Sequence, residues 1–181
     1  MNAIITAIIA VIGTLATAIF GLVCWFVGRK QADKGLMKER PSADRWPASM
    51  VFADDTPLAV IDSFQEAGVW WNRRLKKRAF VDVGDLGPGL VVSIETAEDG
   101  DFDMRFVFEN EGEFARVLVN HRVILIHGTN LLRRSAHELG HALGLGHDED
   151  RFSVMYPRAV DGHFDVTQRD LGLVNRVMEA S

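Results

Sequence analysis

The string His137-Glu138-Leu139-Gly140-His141 holds the residue types of a metal site at a spacing a helix can use. Residues four apart on an α-helix differ by about 40° and about 6 Å, so the two imidazoles project from one face and can meet one ion. Glu138 stands one residue along, where its carboxylate reaches a water on such an ion and not the ion itself, the position of a general base. His147 lies six residues beyond His141. On a continued helix it would sit about 240° around and about 9 Å along, out of reach. Gly144 removes that difficulty, because a glycine can take the left-handed conformation that ends a helix and swings the chain back. His137, His141 and His147 then make a three-imidazole set that leaves a fourth position for water, the description of a catalytic zinc centre and not of a closed structural one. At about 5% per residue, five fixed positions would coincide by chance less than about once in a million starts.

Thr129 or Asn130 can cap the helix that carries this string, which runs through Leu131, Leu132, Ala136, Leu139 and Leu143. Upstream, Ala48 to Ala53 is a short apolar run, and Thr56-Pro57 reads as the cap and first position of a helix. Leu58, Ile61, Phe64, Gln65, Val69 and Asn72 recur there at helical spacing. The cluster Arg73, Arg74, Lys76, Lys77 and Arg78 complements the end of that helix, and Trp70 and Trp71 pack it against the sheet. Strand-like runs follow at Phe80 to Val83, Leu90 to Glu95, Met104 to Phe108, Phe114 to Val119 and Arg122 to His127. A last helix opens on a capping-box-like Thr167 and Asp170 before Leu171, Val174 and Met178.

Charge and composition set the partners. The 181 residues carry 20 basic and 25 acidic side chains, a net of −5, and from Pro41 onward 15 basic face 23 acidic, a net of −8. An acidic body lacks the basic surface that neutralises phosphates, so nucleic acid is excluded as a partner. Met1 to Gly28 has no charged side chain, and residues 3–27 are long enough to cross a bilayer as a single transmembrane helix. A cleaved signal fits less well. Ala16-Thr17-Ala18 offers small residues for cleavage, but there is no charged n-region and the apolar stretch continues. Residues 29–45 read as a charged linker with prolines near its end, and residues 46–181 as the catalytic domain. The basic residues Arg29, Lys30, Lys34, Lys38 and Arg40 favour a cytoplasmic side for whatever follows the span. The lone Cys24 forms no intramolecular disulfide.

The string from His137 to Asp148, HELGHALGLGHD, resembles the metzincin clan of zinc endopeptidases, most closely the matrixin branch. Ser153-Val154-Met155-Tyr156-Pro157, with Met155 eight residues after His147, resembles that branch's Met-turn. The resemblance implies an α+β, zincin-like domain: a twisted mixed sheet, an active-site helix, the Met-turn and a C-terminal helix. It implies that Met155 forms an apolar floor under the imidazoles and that Tyr156 and Pro157 border a substrate pocket. It also implies one catalytic Zn2+, a protein or peptide substrate lying antiparallel to an edge strand drawn from residues 104–127, and an extracytoplasmic location. Two features depart from the branch. Asp148 stands where many relatives have serine, and Cys24, inside the apolar span, cannot supply the cysteine of a matrixin-type inhibitory segment.

The expected function is therefore a membrane-anchored zinc endopeptidase with Glu138 as general base. The competing reading, a catalytically inactive zinc-binding scaffold, is opposed by the intact Glu138. Asp99, Asp101 and Asp103 alternate as calcium ligands would, but an EF-hand's glycine and terminal glutamate are missing, so Ca2+ is not supported and a solvated turn is expected. His121, His127 and His163 show no ligand spacing for a second zinc, and Asp148, Glu149 and Asp150 read as an exposed turn.

Overall fold

The computed structural model describes residues 35–37, 45–81, 90–97, 103–109, 114–120, 131–158 and 164–179. Among these residues five strands, β1 (Ala48–Phe52), β2 (Phe80–Val81), β3 (Val91–Ala97), β4 (Met104–Glu109) and β5 (Phe114–Asn120), join three helices, α1 (Leu58–Leu75), α2 (Leu131–Ala142) and α3 (Gln168–Glu179). The strands form one sheet in the order β2-β1-β3-β5-β4. All neighbours are parallel except β4, which runs antiparallel to β5 at the sheet's edge. This is the expected α+β arrangement with a mixed sheet.

The packing of α1 differs from its apparent periodicity. Val60, Ser63, Phe64, Ala67, Gly68, Trp71 and Leu75 are its buried residues, whereas Leu58 is 76% and Val69 48% exposed. Small residues mark the true contact face: a Cβ on Gly68 would lie 3.0 Å from the Met50 Cε and 3.3 Å from the Phe80 Cβ, so the helix meets the sheet where side chains are missing. Nor does Thr56 cap the helix. Pro57 occupies the N-cap without a side-chain bond, and the Thr56 hydroxyl donates instead to the Ile94 carbonyl of β3 at 3.2 Å.

Trp71 faces α2 and not only the sheet. It is fully buried and its indole N–H donates to the Ala136 carbonyl at 2.8 Å. The Ser63 and Ser135 hydroxyls add a second buried bond between the two helices, 2.8 Å long. Truncating such a buried Trp removes about 3–5 kcal/mol of packing, so α1 is the platform on which α2 is set. Trp70 instead packs on Phe164 and takes the Arg74 guanidinium over its ring at 3.8 Å. The basic end of α1 is tied to acids, Arg74 to Asp165 and Lys77 to Glu179. At α3 the capping box forms as expected: the Thr167 N–H donates to Asp170 Oδ2 at 3.0 Å and the Asp170 N–H to Thr167 Oγ1 at 3.1 Å.

The chain divides into Met1–Lys34 and Gly35–Ser181, and every described residue belongs to the second unit. Among the described residues no helix is long and apolar enough to cross a membrane. The apolar stretch 1–28, Cys24, the Arg122 to His127 run, the Thr129 and Asn130 caps, Asp99 and Asp101, and His121, His127 and His163 lie outside the described residues.

Candidate metal centre

The helix α2 ends where the sequence pattern requires. Gly144 has a φ of 84°, its N–H donates to the His141 carbonyl at 2.8 Å, and the Leu145 N–H reaches the Gly140 carbonyl at 3.0 Å. These two bonds are the pair that defines a Schellman turn, with glycine at the left-handed position. The chain leaves it toward His147. The ring centroids of His137 and His141 are 4.7 Å apart, those of His137 and His147 5.2 Å, and those of His141 and His147 5.0 Å. One potential ligand atom from each of the three lies within 4.8 Å of the others.

Backbone carbonyls decide which nitrogens face inward. The His137 Nδ1–H donates to the Val154 carbonyl and the His141 Nδ1–H to the Leu145 carbonyl, both at 2.8 Å. Each bond holds a ring in the tautomer whose Nε2 keeps its lone pair, the form a metal needs. Burial reinforces the choice, lowering His137 to about 4 and His141 to about 3, and it lowers the more exposed His147 as well. Two imidazoles with inward lone pairs, converging with that of His147, suit a zinc ion. Glu138 is only 6% exposed, and burial pushes its carboxyl up to about 8.

The segment after His147 closes under this set. Val154 and Met155 are fully buried, and a Cβ on Gly140 would lie 2.3 Å from the Met155 Sδ and 3.2 Å from the Trp71 ring. Met155 therefore packs against α2 at Gly140. The Ser153 hydroxyl donates to Asp170 Oδ2 and accepts the Met155 N–H, both at 2.9 Å, which ties the turn to α3. Tyr156 and Pro157 line one wall of a cleft of about 590 Å3, whose floor includes His137, Glu138, His141 and His147. Met104, Arg105 and Phe106 of the edge strand β4 line another wall.

Three contributors were not anticipated from sequence. Gly140 is needed for the close approach of Met155; its signal is a glycine inside a helix, which costs about 1 kcal/mol against alanine unless contact requires it. Asp148, expected on an exposed turn, is 6% exposed, and its carboxylate meets Arg169 Nη1 at 2.9 Å. It also accepts the Asp150 N–H. Finally, residues 35–37 pair with the loop before His147. The Met37 N–H donates to the Gly144 carbonyl at 2.8 Å and the Gly146 N–H to the Gly35 carbonyl at 2.7 Å, with Leu36 and Leu145 bridged antiparallel. No local pattern announces that pairing. Asp103, considered above as a calcium ligand, is ion-paired with Arg134.

Comparison with known proteins gives a match of residues 48–177 to the family model of Matrixin, Peptidase_M10. The interstitial collagenase of Aquarana catesbeiana is 48% identical over 42 residues, 23% of this chain and 11% of that protein. Matrilysin of Homo sapiens is 45% identical over 47 residues, covering 24% of this chain and 18% of matrilysin. Matrilysin of Rattus norvegicus is 42% identical over 53 residues, 28% and 20% of the two chains. The chain thus spans a fifth or less of the length of the curated relatives it matches.

Proposed function

This chain belongs to the matrixin family of zinc peptidases, and from that premise we propose that it is a zinc-dependent endopeptidase whose general base is Glu138. The observation that carries the reading is the convergence of His137, His141 and His147, two of them locked by backbone carbonyls into the ligating tautomer. When bound by these three residues, zinc supplies Lewis acidity that polarises a peptide carbonyl and makes water a stronger acid.

The rest of the reaction belongs to the chain. The substrate lies extended along β4, the sheet edge that borders the cleft, and adds main-chain hydrogen bonds to it. The Glu138 carboxylate takes a proton from water as the water oxygen bonds to the peptide carbon. It then delivers that proton to the amide nitrogen as the C–N bond breaks. No acyl-enzyme forms. Met155 supports the imidazoles from below through its contact with α2 at Gly140, and Tyr156 and Pro157 bound the pocket for a substrate side chain. The uncharged residues 3–27 support single-pass membrane anchorage, which protease protection of the full chain in sealed vesicles would test.

Glu138→Ala is expected to keep close to one zinc per chain and lose hydrolysis of a denatured protein. Removal of zinc by a chelator abolishes wild-type turnover, and added zinc restores it. Unchanged turnover in the Glu138 variant would sink this mechanism.

A further inference from the structure

Among the described residues that line it, the cleft carries more basic than acidic side chains, although the protein is acidic. Arg105, Arg133, Arg134 and Arg158 all line it, against the carboxylates of Asp103 and Glu138, while residues from Pro41 onward sum to −8. At the basic end of α1, by contrast, Arg74 and Lys77 are answered by Asp165 and Glu179. Arg134 is answered only in part. Asp103 is committed to one terminal nitrogen of Arg134, and the Arg134 Nε is buried without a hydrogen-bond partner. Arg105 is exposed on the edge strand along which substrate would lie.

Arg133 makes the imbalance sharper. It is 6% exposed and donates to the Arg158 carbonyl at 3.3 Å, so it is held against the Tyr156–Pro157 wall. Burial and the neighbouring Arg134 charge both disfavour its cationic form. The Arg133 and Arg134 charges act on one another at the start of α2. Guanidinium is the group that binds carboxylate in paired hydrogen bonds. Low-dielectric walls also focus such a field toward an incoming anion.

We propose that the cleft selects acidic stretches of polypeptide, with an Asp or Glu side chain near the scissile bond received by Arg134 and Arg105. The proposal rests on the endopeptidase reading above and names its substrate class. A positive cleft on a negative body draws acidic segments into the site while the rest of the surface repels them, so the selection is local.

The test separates binding from turnover. Three fluorescein-labelled unstructured decapeptides, identical except for Glu, Gln or Lys at alternate positions, are titrated into the full-length, zinc-loaded Glu138→Gln variant and followed by anisotropy. The Glu peptide is expected to bind about tenfold tighter than the Gln peptide, and the Lys peptide weakest of the three. That order should compress as salt rises and the Debye length falls below about 10 Å. Adding Arg105→Gln, at an exposed position that the fold does not need, should reduce the Glu advantage by about half. Adding Arg134→Gln as well should remove most of what remains, with Gln-peptide affinity unchanged within about twofold. Equal affinities, or a preference for Lys, would overturn the proposal. Wild-type hydrolysis of a denatured protein is measured alongside. Turnover without charge discrimination refutes acidic selection and leaves the peptidase reading standing, whereas discrimination in binding without any turnover does the reverse.

Discussion

His137 and His141 ride on a helix, whereas His147 rides on a loop, and the two parts of the metal set are secured by different means. The helical pair is spaced by the 3.6-residue repeat, and the Val154 and Leu145 carbonyls orient its rings. Its support lies underneath, in Met155 and Trp71. The loop histidine is more exposed and depends on the Gly144 turn and on segments distant in sequence, the paired residues 35–37 and the Arg169 that holds Asp148. A helix delivers ligands through local bonds it makes in any case. A loop delivers one only if the rest of the domain holds the loop.

This contrast can be broken most severely from the helical side. His141→Ala should lose zinc and hydrolysis by far more than the about 10- to 100-fold that removal of a supporting hydrogen bond costs, as read by elemental analysis and kcat/KM. Gly140→Ala comes next. A methyl group aimed at a fully buried Met155 overpacks the site and should lower stability by about 1–3 kcal/mol in urea unfolding. Met155→Ala in the same chain should recover part of that loss, giving a coupling absent between distant sites. On the loop side, Gly144→Ala forces a side chain into a φ of 84°, which should cost about 1 kcal/mol and weaken zinc binding more than it weakens the fold. Arg169→Gln should do least, about 0.5–1 kcal/mol, because Arg169 is 46% exposed and its bond to Asp148 is partly screened. If Gly144→Ala and Arg169→Gln leave zinc affinity untouched, the loop is less dependent on its neighbours than its bonds suggest.

The histidine pattern and the strands β3, β4 and β5 were readable for a common reason. HExxH spacing, alternation in the Leu90 to Glu95 and Phe114 to Val119 runs, and the Thr167–Asp170 cap are local patterns with a direct geometric meaning. The buried face of α1 was misread because Leu58 and Val69 are apolar yet exposed, while Ala67 and Gly68 are small and sit at the closest contact. Hydrophobicity alone does not distinguish a large exposed residue from a small one at which two elements touch. Asp148 was placed on a surface turn because an aspartate is buried only where a distant partner meets it, and Arg169 is 21 residues away.

Local order along the chain was enough to specify the three imidazoles, the carboxylate between them and the glycine that turns His147 toward the others, because helix pitch and backbone sterics act over a few residues. Folding in three dimensions decided which nitrogen of the His137 and His141 rings faces inward, which strand borders the cleft, and that four arginines share it. Hydrogen bonds, burial and charge depend on what lies within a few ångströms in space, and those neighbours come from parts of the chain that no local pattern connects.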